Sequence, residues 1–178
     1  MTLMTAKALL TARGIDFAQQ DYPDEATFYR CCFAVSPRKT RPKAVCALLI
    51  RSKNGRKHLI LQFLQKNHQV VFEELFFGEY AFEFFNHAQT ALAEDLMDTV
   101  LSVISGQLHI LITIAQKNGR LLADAAYVLT ADPAKDDTIA YEAALRRVMH
   151  PRRGLKKWLM RAQSVEIYNW NSYRQFHR

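Results

Sequence analysis

Apolar residues recur at helical spacing near the beginning and near the middle of the chain. The first series predicts a helix over 2–13, and Gly14 is suited to end it because glycine adopts the left-handed backbone without strain. The second series places apolar residues at every fourth position and predicts a helix over 86–105, with Asn86 as its cap. Both helices are amphipathic, so each has one face to bury.

Runs rich in aromatic and β-branched residues, separated by turn sequences, predict strands. In chain order these runs cover 28–35, 44–51, 57–65, 70–77 and 80–85. Asn54-Gly55 predicts a tight hairpin with positive φ at both residues, Gln65–His68 a loop of about four residues, and Gly78-Glu79 a two-residue turn. The polar stretch 16–27 predicts a connection.

The tetrapeptide Lys-Asn-Gly-Arg occurs twice, at 53–56 and at 117–120. Its second copy joins two further predicted strands, 108–115 and 121–129. The flanks of the two copies differ, so we interpret them as two similar turns and not as a duplication. The remaining chain predicts helices over 132–150 and 155–162 and a final strand over 165–170.

Strands joined by tight hairpins must be antiparallel, and helices gathered on one face of such a sheet give an α+β fold. We therefore predict an α+β protein, mainly an antiparallel sheet built from hairpins, with helices packed on one face. A length of 178 residues favours a single domain over 1–178. A pair of pseudo-symmetric halves, roughly 1–86 and 87–178, is the alternative.

Composition excludes several classes of protein. The chain is 49% hydrophobic and 23% charged, which excludes a disordered or collagen-like chain. Cys31, Cys32 and Cys46 are an odd set with two neighbours, so we expect free thiols and a cytoplasmic protein. No apolar run approaches the roughly 20 residues that span a bilayer, so no membrane association is expected. No catalytic, metal or cofactor signature is present, so no enzymatic activity is assigned and no cofactor is expected.

Charge is strongly segregated along the sequence, and this pattern suggests a function. Residues 30–66 carry ten Lys or Arg and no acid, 67–145 have a net charge of −9, and 146–178 have a net charge of +8. If the two basic segments meet on one face, they would attract a polyanion. If the acidic segment covers them, the charges are simply neutralised on the surface.

The leading hypothesis is therefore DNA or RNA binding, with cations on phosphates and exposed aromatic rings on bases. The candidate residues are Arg38, Lys39, Arg41, Lys43, Arg56, Arg152, Arg153, Lys156, Lys157, Trp158 and Tyr173. Trp158 and Trp170 are equally suited to anchor a core. A protein-interaction module, with a protein partner or a homodimer, is a further alternative.

A second hypothesis concerns two glutamates on the hairpin around Gly78. A two-residue turn there pairs Glu74 with Glu83 on one face, and the predicted loop before the hairpin brings Lys57 near them. Such a pair could serve a metal-assisted hydrolase, or it could protect a sheet edge from aggregation. The opposite face of this hairpin forms a core or lines an apolar pocket; its residues are Leu75, Phe77, Tyr80, Phe82 and Phe84.

Overall fold

The computed structural model describes residues 1–33, 40–84, 89–117, 120–129 and 161–177. The helices in these ranges are α1 (Leu3–Ala12), α2 (Glu25–Phe33) and α3 (Gln89–Ile104). The strands are β1 (Ala18–Tyr22), β2 (Val45–Ile50), β3 (Leu59–Lys66), β4 (Gln69–Phe77), β5 (Tyr80–Phe82), β6 (Leu108–Lys117), β7 (Arg120–Leu129), β8 (Arg161–Tyr168) and β9 (Tyr173–His177). The predicted α+β class with antiparallel pairing is confirmed.

The chain divides into two compact units, Met1–Val100 and Leu101–Arg178. The first contains a sheet in the order β1-β2-β3-β4-β5, and the second contains a sheet in the order β7-β6-β8-β9. The predicted helix over 132–150 and most of that over 155–162 lie outside the described residues, as do Asn86 and Asn118-Gly119.

One face of the first sheet packs against α2. Phe28 is fully buried and its ring lies 5.4 Å from Tyr22 and 6.1 Å from Phe76, measured between ring centroids. Phe33, at the end of the helix, lies 4.9 Å from Phe76. Because alternate residues of a strand share a face, Ile60 joins this aromatic cluster. The cluster therefore fixes α2 across the middle of the sheet.

The opposite face of this sheet is also apolar and buried. Leu48, Leu61 and Leu75 lie side by side on β2, β3 and β4, and each is fully buried. At one end the amino terminus joins the sheet, because the Phe72 amide donates to the Met1 carbonyl at 3.0 Å. The centre of the first sheet, formed by β2, β3 and the end of β4, is therefore buried on both faces.

The predicted strand over 28–35 is wrong, because residues 25–33 form α2. The helix begins where the Thr27 amide donates to Asp24 Oδ1 at 2.7 Å, which is an N-cap. Its aromatic and cysteine residues have strand propensity, yet the cap and the packing of Phe28 on the sheet override it. The predicted connection over 16–27 is also incorrect, since it contains β1.

Turn geometry differs from the sequence prediction at two hairpins. β3 and β4 are joined by the two residues Asn67 and His68, with φ of 46° and 67°, instead of a loop of about four residues. In the β2–β3 connection Gly55 has a φ of 71°, but Asn54 is not among the residues with positive φ. The predicted turn at Gly78 is confirmed, since its neighbours Phe77 and Tyr80 pair directly.

In the second unit, the predicted strands on either side of Asn118-Gly119 are confirmed as β6 and β7. The predicted strand over 165–170 begins four residues earlier, and β9 was not predicted. Asn169 is buried after β8, where its amide lies 2.9 Å from His109 Nε2 and its Oδ1 accepts from the Asn171 and Ser172 amides. Trp170 is 6% exposed, which supports the core interpretation of this residue.

Candidate functional site

Most of the predicted nucleic-acid contacts fall outside the described residues. These are Arg38, Lys39, Arg152, Arg153, Lys156, Lys157 and Trp158. The structure describes Arg41, Lys43, Arg56 and Tyr173. Lys43 is exposed before β2, and Tyr173 is half-buried with its ring stacked on Tyr168 at 6.4 Å.

Arg41 lies among carboxylates. Its Nη1 is 2.9 Å from Glu73 Oε1, and its backbone amide donates to Glu25 Oε2 at 2.6 Å. Lys66 contacts the other oxygen of Glu73. The hydrogen bond and the charge of Glu73 raise the pKa of Arg41. A phosphate would have to compete with these two carboxylates for Arg41.

The loop between β2 and β3 is closed by hydrogen bonds among its own residues. Asn54 Oδ1 accepts from the amides of Arg56 and Lys57, both at 2.8 Å. Across the base of the loop, the Ser52 hydroxyl donates to the Lys57 carbonyl at 2.6 Å. Side-chain and backbone groups of the loop therefore satisfy one another, as asparagine and serine side chains commonly do in turns.

Three exposed cations project from this loop: Arg51, Lys53 and Arg56, which we name the tip cations. Sequence reasoning selected Arg56 but not Arg51 or Lys53. Arg51 and Lys53 could have been selected from their position beside the predicted turn, because residues that flank a hairpin turn lie at the surface. The tip cations are three exposed cations within six residues of one loop.

His58 lies at the base of the loop, where its Nδ1 accepts from the Ser52 amide at 3.2 Å. Burial, followed by the positive charge of Arg51, lowers the pKa of His58. The lowered pKa favours the neutral ring, and because Nδ1 accepts a hydrogen bond, the neutral ring carries its proton on Nε2.

The two glutamates of the predicted pair, Glu74 and Glu83, differ in exposure. Glu74 is half-buried, and burial, together with Glu73 and Glu25, raises its pKa. β5 ends at Phe82, so the exposed Glu83 lies just beyond the paired residues.

Because the turn between β3 and β4 is shorter than predicted, the position of Lys57 relative to β4 differs from the predicted one. Its Nζ binds Glu79 at 2.6 and 2.7 Å. Within the described residues, no group of three or more His, Cys, Asp or Glu is arranged to hold a metal ion.

A pocket of about 350 Å³ lies between the end of α2 and the tips of two hairpins. Cys32 and Phe33 line it from the helix, Leu49 and Ile60 from the sheet, and Arg56 and His58 from the β2–β3 loop. Sequence reasoning missed this pocket because residues 28–35 were predicted to form a strand, which gives Cys32 and Phe33 opposite faces.

The pocket side of α2 carries two thiols that differ in exposure. Cys31 is exposed, whereas Cys32 is half-buried with its Sγ 3.3 Å from the Tyr22 hydroxyl. Burial raises the pKa of Cys32. Because the thiolate is the nucleophilic form, Cys32 contributes a neutral polar group to the pocket and not a reactive one.

Family models, curated proteins and solved structures were compared with this chain, and none of them matches it. Among the helices that the structure describes, none has the length and hydropathy needed to cross a membrane.

Proposed function

We propose that the protein binds nucleic acid and that the tip cations contact its phosphates. The observation that supports this proposal is the exposure of Arg51, Lys53 and Arg56 on one hydrogen-bonded loop. The chain also has a net charge of +7, and residues 30–66 contain no Asp or Glu. A cationic surface of this kind attracts a polyanion over the distance of a Debye length.

The proposed binding depends on charge and not on base sequence. Arginine side chains bind phosphate oxygens through two parallel hydrogen bonds, and phosphate contacts carry no sequence information. The preformed loop limits the entropy lost on binding, because Ser52 and Asn54 already fix its backbone. Affinity should therefore fall steeply with salt and vary little between sequences.

A titration of the full chain with fluorescent single- and double-stranded DNA and RNA, at several salt concentrations, tests the proposal. The variant Arg51→Gln/Lys53→Gln/Arg56→Gln removes the tip cations. Each lost phosphate contact should reduce the slope of log K against log salt by about 1. At low salt we expect this variant to bind at least about tenfold more weakly.

The control removes two positive charges of the first unit that lie outside segment 30–66: Lys7→Gln/Arg13→Gln. Its affinity should remain within about twofold of the unmodified chain, because Lys7 lies on α1 and Arg13 at the end of α1, outside that segment. An equal loss of affinity per removed charge in the two variants would show that net charge alone acts and would overturn the role of the tip. Absence of binding by the unmodified chain at low salt would overturn the function itself.

A further inference from the structure

The pocket beside the tip cations is lined by two chemically different groups of residues. Phe33, Leu49 and Ile60 contribute apolar side chains, and Arg56 and His58 line the pocket from the β2–β3 loop. Because Leu49 and Ile60 pair within the sheet and His58 precedes β3, the apolar residues form one end of the pocket and the loop residues form the other. A volume of about 350 Å³ is at the small end of the range for ligand sites, so it suits a compact molecule with an apolar body and one polar end.

The polar end is rich in hydrogen-bond donors. The guanidinium of Arg56 can donate only, and the neutral ring of His58 donates from Nε2, because its Nδ1 accepts from the Ser52 amide. The charged side chains of the pocket lining are Arg56, Lys57 and Glu79, and both oxygens of Glu79 are bound by Lys57. Because two cations accompany one carboxylate in the lining, this end of the pocket favours an anion.

The direction of α2 determines the orientation that an anionic ligand would adopt in the pocket. Cys32 and Phe33 are in the last turn of α2, where the helix dipole carries partial negative charge. An anionic group is disfavoured there and favoured at the β2–β3 loop. A flat apolar group fits the helix end, where Phe33 offers an aromatic ring for stacking.

We propose that this pocket binds one nucleotide, with the base against Phe33, Leu49 and Ile60 and the phosphate at Arg56 and His58. The proposal rests on the proposed function where the nucleotide belongs to a bound strand, since the tip cations would then hold the neighbouring phosphates. A free nucleotide presents the same base and phosphate. The two sources are separated in the experiment.

Isothermal titration of the full chain with adenosine 5′-monophosphate, adenosine and inorganic phosphate tests the pocket directly. We expect the monophosphate to bind at least about tenfold more tightly than either part alone, because only the monophosphate fills both ends. A single-stranded oligonucleotide is the second arm. If the monophosphate and the oligonucleotide compete, the pocket binds a nucleotide of a strand. If they do not compete, the pocket binds free nucleotides only.

A variant that fills the pocket tests its location. Cys31 is exposed and lines the pocket, so Cys31→Trp places an indole in the space, whereas Cys31→Ser keeps the volume nearly unchanged. We expect Cys31→Trp to weaken monophosphate binding at least about tenfold and Cys31→Ser to leave it within about twofold. Both variants keep every tip cation, so salt-dependent strand binding should persist in both.

Amide NMR shifts in the unmodified chain provide a readout that does not depend on the folding of a variant. The monophosphate should shift the amides of Cys32, His58 and Gly78, which line the pocket. Shifts confined to other parts of the chain would overturn the proposal, as would equal affinity for phosphate alone. Salt-dependent strand binding without monophosphate binding would overturn the pocket and leave the proposed function standing.

Discussion

At the scale of single residues, Gln62 is a buried polar side chain in an otherwise apolar part of β3. Its side chain is 1% exposed on the β3 face that packs against α2, and neither its Nε2 nor its Oε1 has a hydrogen-bond partner among the described residues. An unsatisfied buried amide costs about 1–3 kcal/mol of stability. The neighbouring aromatic cluster compensates for that cost through apolar burial.

The variant Gln62→Met keeps the length of the side chain and removes the unsatisfied polar atoms. We expect it to raise the free energy of unfolding by about 1 kcal/mol, measured by urea denaturation. Gln65→Met, at an exposed position of the same strand, is the control and should change stability little. A loss of stability in Gln62→Met would show that the amide is satisfied in the folded protein in solution.

Glu73 and Glu74 are adjacent in sequence, and their pKa values are shifted in opposite directions. Burial acts to raise the pKa of Glu73, but the hydrogen bonds from Lys66 and Arg41 outweigh it and lower the pKa. The pKa of Glu74 is raised, chiefly by burial and then by Glu73 and Glu25. The ionised form of Glu73 is therefore stabilised by folding, and the ionised form of Glu74 is destabilised.

Replacing each glutamate by glutamine should show these opposite signs. A raised carboxyl pKa means that the folded state holds the proton more tightly, so stability falls as pH rises through that pKa. Glu74→Gln should therefore be more stable than the unmodified chain at pH 7, with the gain disappearing below the usual glutamate pKa of 4.5.

Glu73→Gln should be less stable at pH 7, and its loss should disappear as the pH falls through the lowered pKa of Glu73. Urea denaturation at pH 7 and at a series of pH values below the usual glutamate pKa of 4.5 measures both effects. Changes of the same sign in the two variants at pH 7 would contradict the assignment of opposite pKa shifts.

At the scale of elements, the turn between β3 and β4 is strained. Asn67 and His68 both have positive φ, and histidine has no special tolerance for that region comparable to that of glycine. The sequence Asn-Gly is the preferred one for this geometry. His68→Gly should therefore raise the free energy of unfolding by about 0.5–1 kcal/mol, measured by thermal or urea denaturation.

Gly14 provides the reciprocal control. It ends α1 with a φ of +65°, and a Cβ at this position would meet no atom within 4 Å, so Gly14→Ala tests the backbone alone. We expect Gly14→Ala to lower stability by about 1 kcal/mol. If both substitutions changed stability in the same direction, backbone conformation would not be the cause.

Elements with strong local signals could be predicted from the sequence. α1, α3 and the hairpins β2–β3, β4–β5 and β6–β7 follow from apolar periodicity and from glycine at turns. α2 could not be predicted from composition, because its aromatic residues suit a strand and its helical state depends on packing against the sheet. The Asn67-His68 turn was missed because it contains no glycine.

The candidate site was predictable in charge but not in shape. The positive segment 30–66 was evident from the sequence, and it led to Arg56. The pocket could not be predicted, since it requires α2 and two hairpin tips to meet. The engagement of Arg41 by Glu25 and Glu73 likewise depends on residues that are 16 and 32 positions away in sequence.

At the scale of the whole molecule, charge segregation along the sequence is partly neutralised in the fold. The ion pairs of Arg41 and Lys66 with Glu73, and of Lys57 with Glu79, each join the basic segment 30–66 to the acidic segment 67–145. The pairing of β3 with β4 brings Lys57 and Lys66 close to their partners, because it places strands of the two segments side by side. The tip cations are exposed on the loop between β2 and β3.

Polyphosphate, which has the charge of a nucleic acid but no bases, should compete for the tip cations. In a fluorescence anisotropy assay we expect polyphosphate to displace most of a labelled oligonucleotide at low salt, because the attraction is mainly electrostatic. The tip variant Arg51→Gln/Lys53→Gln/Arg56→Gln should show a smaller response. Failure of polyphosphate to compete would mean that the bases dominate recognition.

The Asn54-Gly55 sequence has a consequence for the handling of the purified protein. Asparagine followed by glycine is prone to deamidation, because the glycine amide meets little steric hindrance when it attacks the asparagine side chain. Here the product would place a negative charge between Lys53 and Arg56, and the isoaspartate form would also lengthen the backbone that Asn54 Oδ1 now holds. Samples aged at alkaline pH should therefore gradually lose affinity for polyanions, although the encoded sequence is unchanged.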